Sequence, residues 1–245
     1  MITFETLQGH WERQWIKAPG FEDHTTRVHW MQVGALFADV RIPQDRPDVS
    51  EAASLSALPA PVLYQLSQAE GFAGHVTLLA DTCTWHREVN FHGIPEEKDV
   101  GRISFDPQGN MIEAGVHAEY TELWTHHRAP QSICLRLSGE GFEGVFAAVG
   151  ETFVLGLDRP GKPSTASLRA GLEAGEVTGA TPTLFEGIYA TGRWQGDEAT
   201  AYLATNPFCE GRVIFSKRDE YAIWHGLAFD GTRTDVALHA EPVAP

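Results

Sequence analysis

The sequence predicts an all-β protein of two consecutive antiparallel β-barrels with a short helical segment. Many short segments alternate apolar and polar residues with the period of two that is typical of strands. Tight turns separate them, and the regular alternation of strands and helices that indicates a parallel sheet does not occur. The predicted strands fall into two successive sets of about eight, a number that closes a barrel around side chains or one small ligand.

The first set of strands predicts a domain over residues 1–128. Glycines and the turn sequence Asp-Pro-Gln-Gly-Asn at 106–110 separate its strands. The strands are predicted over residues 9–16, 25–33, 35–42, 72–79, 82–91, 101–105, 111–114 and 117–126.

The segment 43–70 interrupts the strands of the first set. Four prolines bracket Ala-, Ser- and Leu-rich stretches. Pro61 at a first helical position and Gly71 after a helical end predict a helix over 62–70. Because long connections between strands often have a function, we expect this segment to be a lid over the mouth of the first barrel.

The second set of strands predicts a domain over residues 129–245. An excursion over 159–182 contains a helical stretch at 167–173. The strands are predicted over residues 132–138, 143–150, 152–158, 188–195, 199–205, 212–216, 221–227 and 232–239.

Charge and composition exclude several classes of partner. The net charge of −15 is spread along the chain and no basic run occurs, which argues against nucleic acid and anionic membranes. The N-terminus lacks the basic region and apolar core of a secretory signal. The three cysteines form no C-x-x-C pair, so we expect reduced thiols and a cytoplasmic location. A homodimer stays an open alternative to a monomer.

The strand at 82–91 carries, on both of its faces, polar or charged residues whose burial costs free energy. In an extended strand one face has Trp85, Arg87, Val89 and Phe91. A buried arginine needs a carboxylate, an aromatic face or a ligand anion. We therefore predict that Trp85 and Arg87 line the cavity of the first barrel, the alternative being that His86 and Glu88 do so.

The strand that closes the first barrel presents a second set of polar and aromatic side chains. Tyr120, Glu122 and Trp124 alternate along one of its faces. Such groups give a ligand an aromatic wall, a hydrogen-bonding hydroxyl and a charged anchor. The predicted binding set is Trp30, Asp39, Arg41, Trp85, Arg87, Tyr120, Glu122 and Trp124. It suits a small apolar or aromatic molecule with an acidic or carbonyl group facing Arg87.

Two other functions stay open for the same residues. Glu122, Tyr120 and His86 could form the acid-base site of a cofactor-independent isomerase, lyase or hydrolase. The polar groups could instead satisfy one another inside filled barrels, in a protein that acts as a scaffold.

Motifs for metals, nucleotides and nucleophiles are missing. Eleven histidines occur, but neither His-x-His nor a pair at i and i+4 is present, so we predict no metal site and no cofactor. A metal site assembled from several strands is the less favoured alternative. The G-x-G-x-x-G pattern at 139–144 precedes a predicted strand instead of the helix that a nucleotide site requires.

Several motifs resemble a known family. Gly9-His-Trp11 resembles the G-x-W opening of the lipocalin and calycin proteins. The region from about 80 to 160 is similar to the fungal casein-kinase-interacting proteins and their bacterial relatives. That likeness is carried by His86-Arg87, Asp99-x-Gly101, Glu113-x-Gly115, Glu122-Leu-Trp124 and the glycine-rich strand at 142–150. The resemblance implies two lipocalin-like barrels and a cavity, and it supplies no catalytic residues and no kinase partner for this chain.

The aromatic residues favour the first barrel as the binding half. Five of the seven tryptophans precede residue 128. Because they accompany arginines and histidines there, we expect the second barrel to be mainly a packing partner.

Overall fold

A computed structural model describes residues 1–219 and 221–244 and contains two closed antiparallel barrels of eight strands each. The prediction of an all-β double barrel is therefore confirmed. The first barrel is formed by β1 (Gly9–Ala18), β3 (Arg27–Val33), β4 (Leu36–Ile42), β5 (Glu70–Leu79), β6 (Thr82–Asn90), β7 (Asp99–Phe105), β8 (Met111–Gly115) and β9 (Thr121–His127), and the short β2 (Phe21–Asp23) pairs only with β1. Pairing of β9 with β1 closes it.

The second barrel follows directly and has a simple up-and-down order. It consists of β10 (Ser132–Gly139), β11 (Phe142–Val149), β12 (Thr152–Asp158), β13 (Ile188–Gln195), β14 (Glu198–Ala204), β15 (Val213–Lys217), β16 (Tyr221–Leu227) and β17 (Arg233–Pro242). The helices are α1 (Phe4–Leu7), α2 (Ala60–Leu66) and α3 (Ala166–Glu173), with 3-10 turns at Leu55–Ala57, Thr181–Phe185 and Pro207–Cys209.

The two barrels pack together through their outer faces, which explains why β4 is buried on both sides. Phe37 points into the first barrel, whereas Ala38 and Val40 point into the contact between the barrels. A strand that is covered on both faces needs apolar residues at successive positions. The opposing surface of the second barrel is also apolar and includes Val145, Ala147, Val154, Tyr189 and Leu203.

Glycine allows the barrels to approach closely at one point. A Cβ on Gly71 would lie 2.3 Å from Cγ of Tyr189, and a Cβ on Gly156 would lie 2.8 Å from Cβ of Ala73. Tyr189 is fully buried, so its ring cannot move aside. The contact between the barrels therefore depends on the missing side chain at Gly71.

The segment 43–70 is not the expected lid. Helix α2 packs on α3, and Leu55 and Leu63 are buried in the cluster between the barrels. Arg46 forms an ion pair of 2.8 Å with Glu210 of the second barrel. The apolar residues of this segment pack between the barrels, and none of its residues lines the cavity described below.

Two β-bulges change the faces that simple alternation predicts. In β1 the register with β9 shifts between Arg13 and Trp15, so these two side chains lie on opposite faces. In β6 the register with β5 shifts beyond Arg87, so that Val89 faces the contact between the barrels. The expected common face of Arg87, Val89 and Phe91 is thus wrong.

The cysteines are buried and free, and burial raises the pKa of Cys134 and Cys209 to about 12. Within residues 1–219 and 221–244, no helix has the length and apolarity needed to cross a bilayer. The cytoplasmic location, the lack of nucleic-acid and membrane partners and the oligomeric state stay predictions.

We predict that Gly71→Ala lowers the free energy of unfolding by about 1–3 kcal/mol, because the new methyl group overpacks the contact with Tyr189. Urea denaturation measures the change. Gly171→Ala is the matched control, since a Cβ on Gly171 meets nothing within 4 Å. Equal losses in both variants would contradict this account of the interface.

Candidate binding cavity in the first barrel

A partly enclosed cavity of about 170 Å³ lies inside the first barrel. All eight predicted binding residues line it: Trp30, Asp39, Arg41, Trp85, Arg87, Tyr120, Glu122 and Trp124. The sequence-based set missed four further lining residues, which are Ile16, Phe72, Asp99 and Glu113. Ile16 was hidden by the bulge in β1. Asp99 and Glu113 belong to motifs that carried the family resemblance, but the sequence alone did not indicate that their side chains point into the barrel.

His86 lies outside the cavity, so the expected grouping of Glu122, Tyr120 and His86 requires correction. The ring of His86 stacks on His75 at 4.5 Å, and its Nε2 lies 2.9 Å from Oγ1 of Thr77 on the outer face of the barrel. The pleat turns His86 away from its neighbours Trp85 and Arg87.

The arginines of the interior are each paired with a carboxylate. The pairs are Arg13 Nη1–Glu122 Oε1 at 2.8 Å, Arg41 Nε–Asp39 Oδ1 at 2.9 Å and Arg87 Nη2–Asp99 Oδ2 at 2.6 Å. The guanidinium of Arg87 also lies 3.6 Å from the ring centroid of Phe72. A carboxylate and an aromatic face together meet the requirement of this buried cation without a ligand anion.

Glu113 is the carboxyl group of the cavity that has no arginine partner. It pairs across the sheet with Glu122, and the hydroxyl of Tyr120 donates to its Oε1 at 2.8 Å. Burial, and then the charges of Glu122 and Asp99, raise the pKa of Glu113 well above its usual range. Burial also raises the pKa of Tyr120. Tyr120 is therefore protonated at neutral pH, and ionisation of Glu113 is disfavoured beside Asp39, Asp99 and Glu122, which face the three arginines.

Two glycines make room for these side chains. A Cβ on Gly101 would lie 2.8 Å from Cγ of Glu113, and a Cβ on Gly115 would lie 2.4 Å from Cε1 of Tyr120. Gly101 and Gly115 are paired across β7 and β8. Each of the motifs Asp99-x-Gly101 and Glu113-x-Gly115 thus contributes one carboxyl group to the cavity and leaves the space that its neighbours occupy.

Two indole groups of the cavity lack hydrogen-bond partners. Trp30 and Trp124 are both 2% exposed, and within the described chain their Nε1 atoms have no acceptor. By contrast, Nε1 of the nearby Trp11 donates to the Leu7 carbonyl at 2.7 Å. A buried donor without an acceptor costs free energy, so an acceptor placed in the cavity would remove that cost.

Aromatic side chains pack the middle of the second barrel. Phe146 stacks between Phe153 and Phe215, with centroids 5.6 and 4.5 Å away, and Trp194 packs on its edge. That the second barrel is mainly a packing partner stays a prediction.

A chain of hydrogen bonds on the outer face of the second barrel has the connectivity of a hydrolase triad. Oγ of Ser216 lies 2.9 Å from Nε2 of His225, and Nδ1 of His225 lies 2.8 Å from Oδ1 of Asp235. A working triad has an accessible serine and a buried acid. Here Ser216 is 2% exposed and the Asp235 side chain is 69% exposed, so we interpret the chain as a structural link between strands.

Comparison with known proteins supports the fold alone. No family model matches the sequence, and no curated protein matches it. The structure is similar to that of an uncharacterised protein of Saccharomyces cerevisiae, YLR301w, with a TM-score of 0.55 and 10% sequence identity. The alignment covers 96% of this chain and 99% of the yeast chain. The double-barrel arrangement therefore occurs in a fungal protein, and the narrower likeness to lipocalins stays a prediction.

We predict that Glu113→Gln makes the protein more stable relative to the wild type as pH rises. Above about pH 4.5 the unfolded wild type loses the Glu113 proton while the folded protein keeps it, so wild-type stability falls by up to about 1.4 kcal/mol per pH unit until the raised pKa is reached. Glutamine carries no such proton and still accepts from Tyr120.

Urea denaturation at pH 5 and pH 8 measures this difference. Glu143→Gln, at an exposed position of β11, is the control and should show no trend with pH. A difference between Glu113→Gln and the wild type that does not change with pH would mean that Glu113 is ionised in the folded state.

Proposed function

We propose that the first barrel binds a small, flat, uncharged molecule that carries a carbonyl oxygen. The observation that carries this proposal is the pair of unpartnered indole N–H groups of Trp30 and Trp124 beside the cavity. Two unpartnered donors on aromatic side chains that line the cavity favour an acceptor attached to a ring.

The size of the cavity supports a ligand of about one ring. Pockets for drug-sized ligands measure roughly 300–1,000 Å³, whereas an apolar cavity of about 150 Å³ holds benzene. The volume of about 170 Å³ in the first barrel is close to the second value. The ligand class is therefore smaller than the fatty or multi-ring molecules that large barrels enclose.

The charges of the cavity favour a neutral ligand over the acidic one that the sequence left open. Arg87 and Arg41 already contact the carboxylates of Asp99 and Asp39. A carboxylate on the ligand would have to compete with these partners and would add a like charge beside them. A carbonyl group avoids that repulsion and still accepts from the indoles.

Catalysis in the same cavity is the second candidate, and one observation favours it. Burial and neighbouring charges raise the pKa of Glu113, which pairs with the ion-paired Glu122 on the next strand. Two carboxyl groups with different protonation states can act as a general acid and a base. If a molecule bound in the cavity is converted during incubation, and Glu122→Gln abolishes the conversion, this second function replaces simple binding. The scaffold with filled barrels is disfavoured by the cavity itself.

We predict that benzamide binds in the cavity and shifts the indole N–H signals of Trp30 and Trp124 in nitrogen-15 NMR spectra. Benzoate has the same ring with an anionic group, and benzene has no acceptor. Benzene should bind about fivefold more weakly, because one well-made hydrogen bond contributes about 1 kcal/mol. Benzoate should also bind more weakly, because its charge repels the carboxylates of Asp39 and Asp99. The unpartnered indole of Trp224 lies outside the cavity and should not shift.

Two variants test where benzamide binds. Trp30→Phe keeps an aromatic wall and removes one donor, so it should weaken binding several-fold, and Ile16→Trp should block the cavity. Trp194→Phe in the second barrel is the matched control and should leave the affinity unchanged. Stronger binding of benzoate than of benzamide, or shifts that persist in Ile16→Trp, would count against the proposal.

A further inference from the structure

Imidazole groups converge on the outer surface of the first barrel, where β3, β1 and β9 lie side by side. We propose that His10, Glu12 and His29 bind a divalent transition-metal ion such as Zn²⁺, with His127 as the fourth ligand. This site is separate from the internal cavity and does not depend on the proposed function.

The register of the three strands brings these residues together. His10 and Glu12 are two positions apart on β1 and so share its outer face. Glu12 pairs directly with His29 on β3, and His10 pairs directly with His127 on β9. The four side chains therefore occupy adjacent positions on one patch of the sheet, although they are distant in sequence.

The separations of the donor atoms fit one metal ion. His10 Nε2 lies 3.0 Å from His29 Nδ1, and Glu12 Oε1 lies 3.9 and 3.7 Å from these two nitrogens. Zinc–ligand bonds of about 2.0–2.1 Å in tetrahedral geometry separate the donor atoms by about 3.3 Å. Shifts of a few tenths of an ångström would bring all three atoms to bonding distance from one ion.

His127 completes the set with little rearrangement. Its Nε2 lies 3.6 Å from Oε1 of Glu12, and its ring stacks on that of His10 at 5.3 Å. The His127 side chain is 51% exposed, so it can turn toward an ion held by the other three residues. Four protein ligands are typical of closed structural zinc sites.

The surroundings favour a transition metal over calcium or magnesium. Three neutral imidazoles are ligands for zinc, copper or nickel, whereas the harder ions require mainly oxygen ligands. Glu12 supplies the negative charge, although Arg27 and Arg193 border the same groove. The side chain of His10 is 7% exposed and already fixed by packing, so binding would order few additional groups.

The position of the site gives the ion a structural role. Pairing of β1 with β9 closes the first barrel, and His10 and His127 face each other across that seam. An ion held by residues of β3, β1 and β9 would cross-link the strands whose pairing closes the barrel. Binding to the folded state alone would stabilise the protein by an amount that grows with the logarithm of the free-metal concentration.

Titration calorimetry with ZnCl₂ on metal-stripped protein, prepared without a histidine tag, tests the proposal. We expect one ion per chain and a rise in the unfolding temperature. X-ray absorption at the zinc edge should show only N and O ligands near 2.0 Å, with three imidazoles. Absence of binding, or a sulfur ligand, would overturn the assignment.

Variants localise the ion. His29→Ala should weaken zinc binding at least tenfold. Glu12→Gln should have the same effect and keeps the shape of a half-exposed side chain. It is therefore the second test if His29→Ala fails to fold. His127→Ala should reduce the imidazoles seen by X-ray absorption from three to two. The control is His75→Ala, which removes one ring of the other stacked pair, where Glu88 is held by Arg136. Unchanged affinity in Glu12→Gln, or equal losses in His75→Ala, would contradict the site.

Discussion

The interior of the first barrel is organised by the need to neutralise three guanidinium groups away from bulk water. Each of Arg13, Arg41 and Arg87 faces a carboxylate on another part of the barrel wall or on its own strand. Such pairs satisfy the charges of these side chains, whereas aromatic side chains pack the middle of the second barrel. The charge balance of the cavity follows from that constraint.

The double barrel and the eight predicted residues that line the cavity could be inferred from the sequence, because strong local signals specify both. Alternation, turn residues and strand count gave the strands to within a few residues, and adjacent positions of one strand give the same face to Tyr120, Glu122 and Trp124. The inward direction of Arg87 was inferred for a partly wrong reason. Val89 was expected beside it, but a bulge places Val89 in the contact between the barrels.

Features that depend on pairing between distant strands could not be predicted from the sequence. His10 and His127 are neighbours only because β9 closes onto β1. Asp99 and Glu113 face the cavity by a register that single-strand patterns do not fix. The composition of the segment 43–70 predicted a lid, but its apolar residues pack between the barrels. A helix pattern specifies which face is apolar and says little about which surface covers it.

The central claim is that the paired charges inside the first barrel stabilise each other, and a double-mutant cycle on Arg87 and Asp99 tests it most directly. Arg87→Met and Asp99→Asn should each lower the free energy of unfolding, since each leaves a partly buried partner unpaired. The double variant should lose less than the sum of the single variants, with a coupling free energy above about 1 kcal/mol. Additive losses would show that the two side chains do not stabilise each other and would contradict the account.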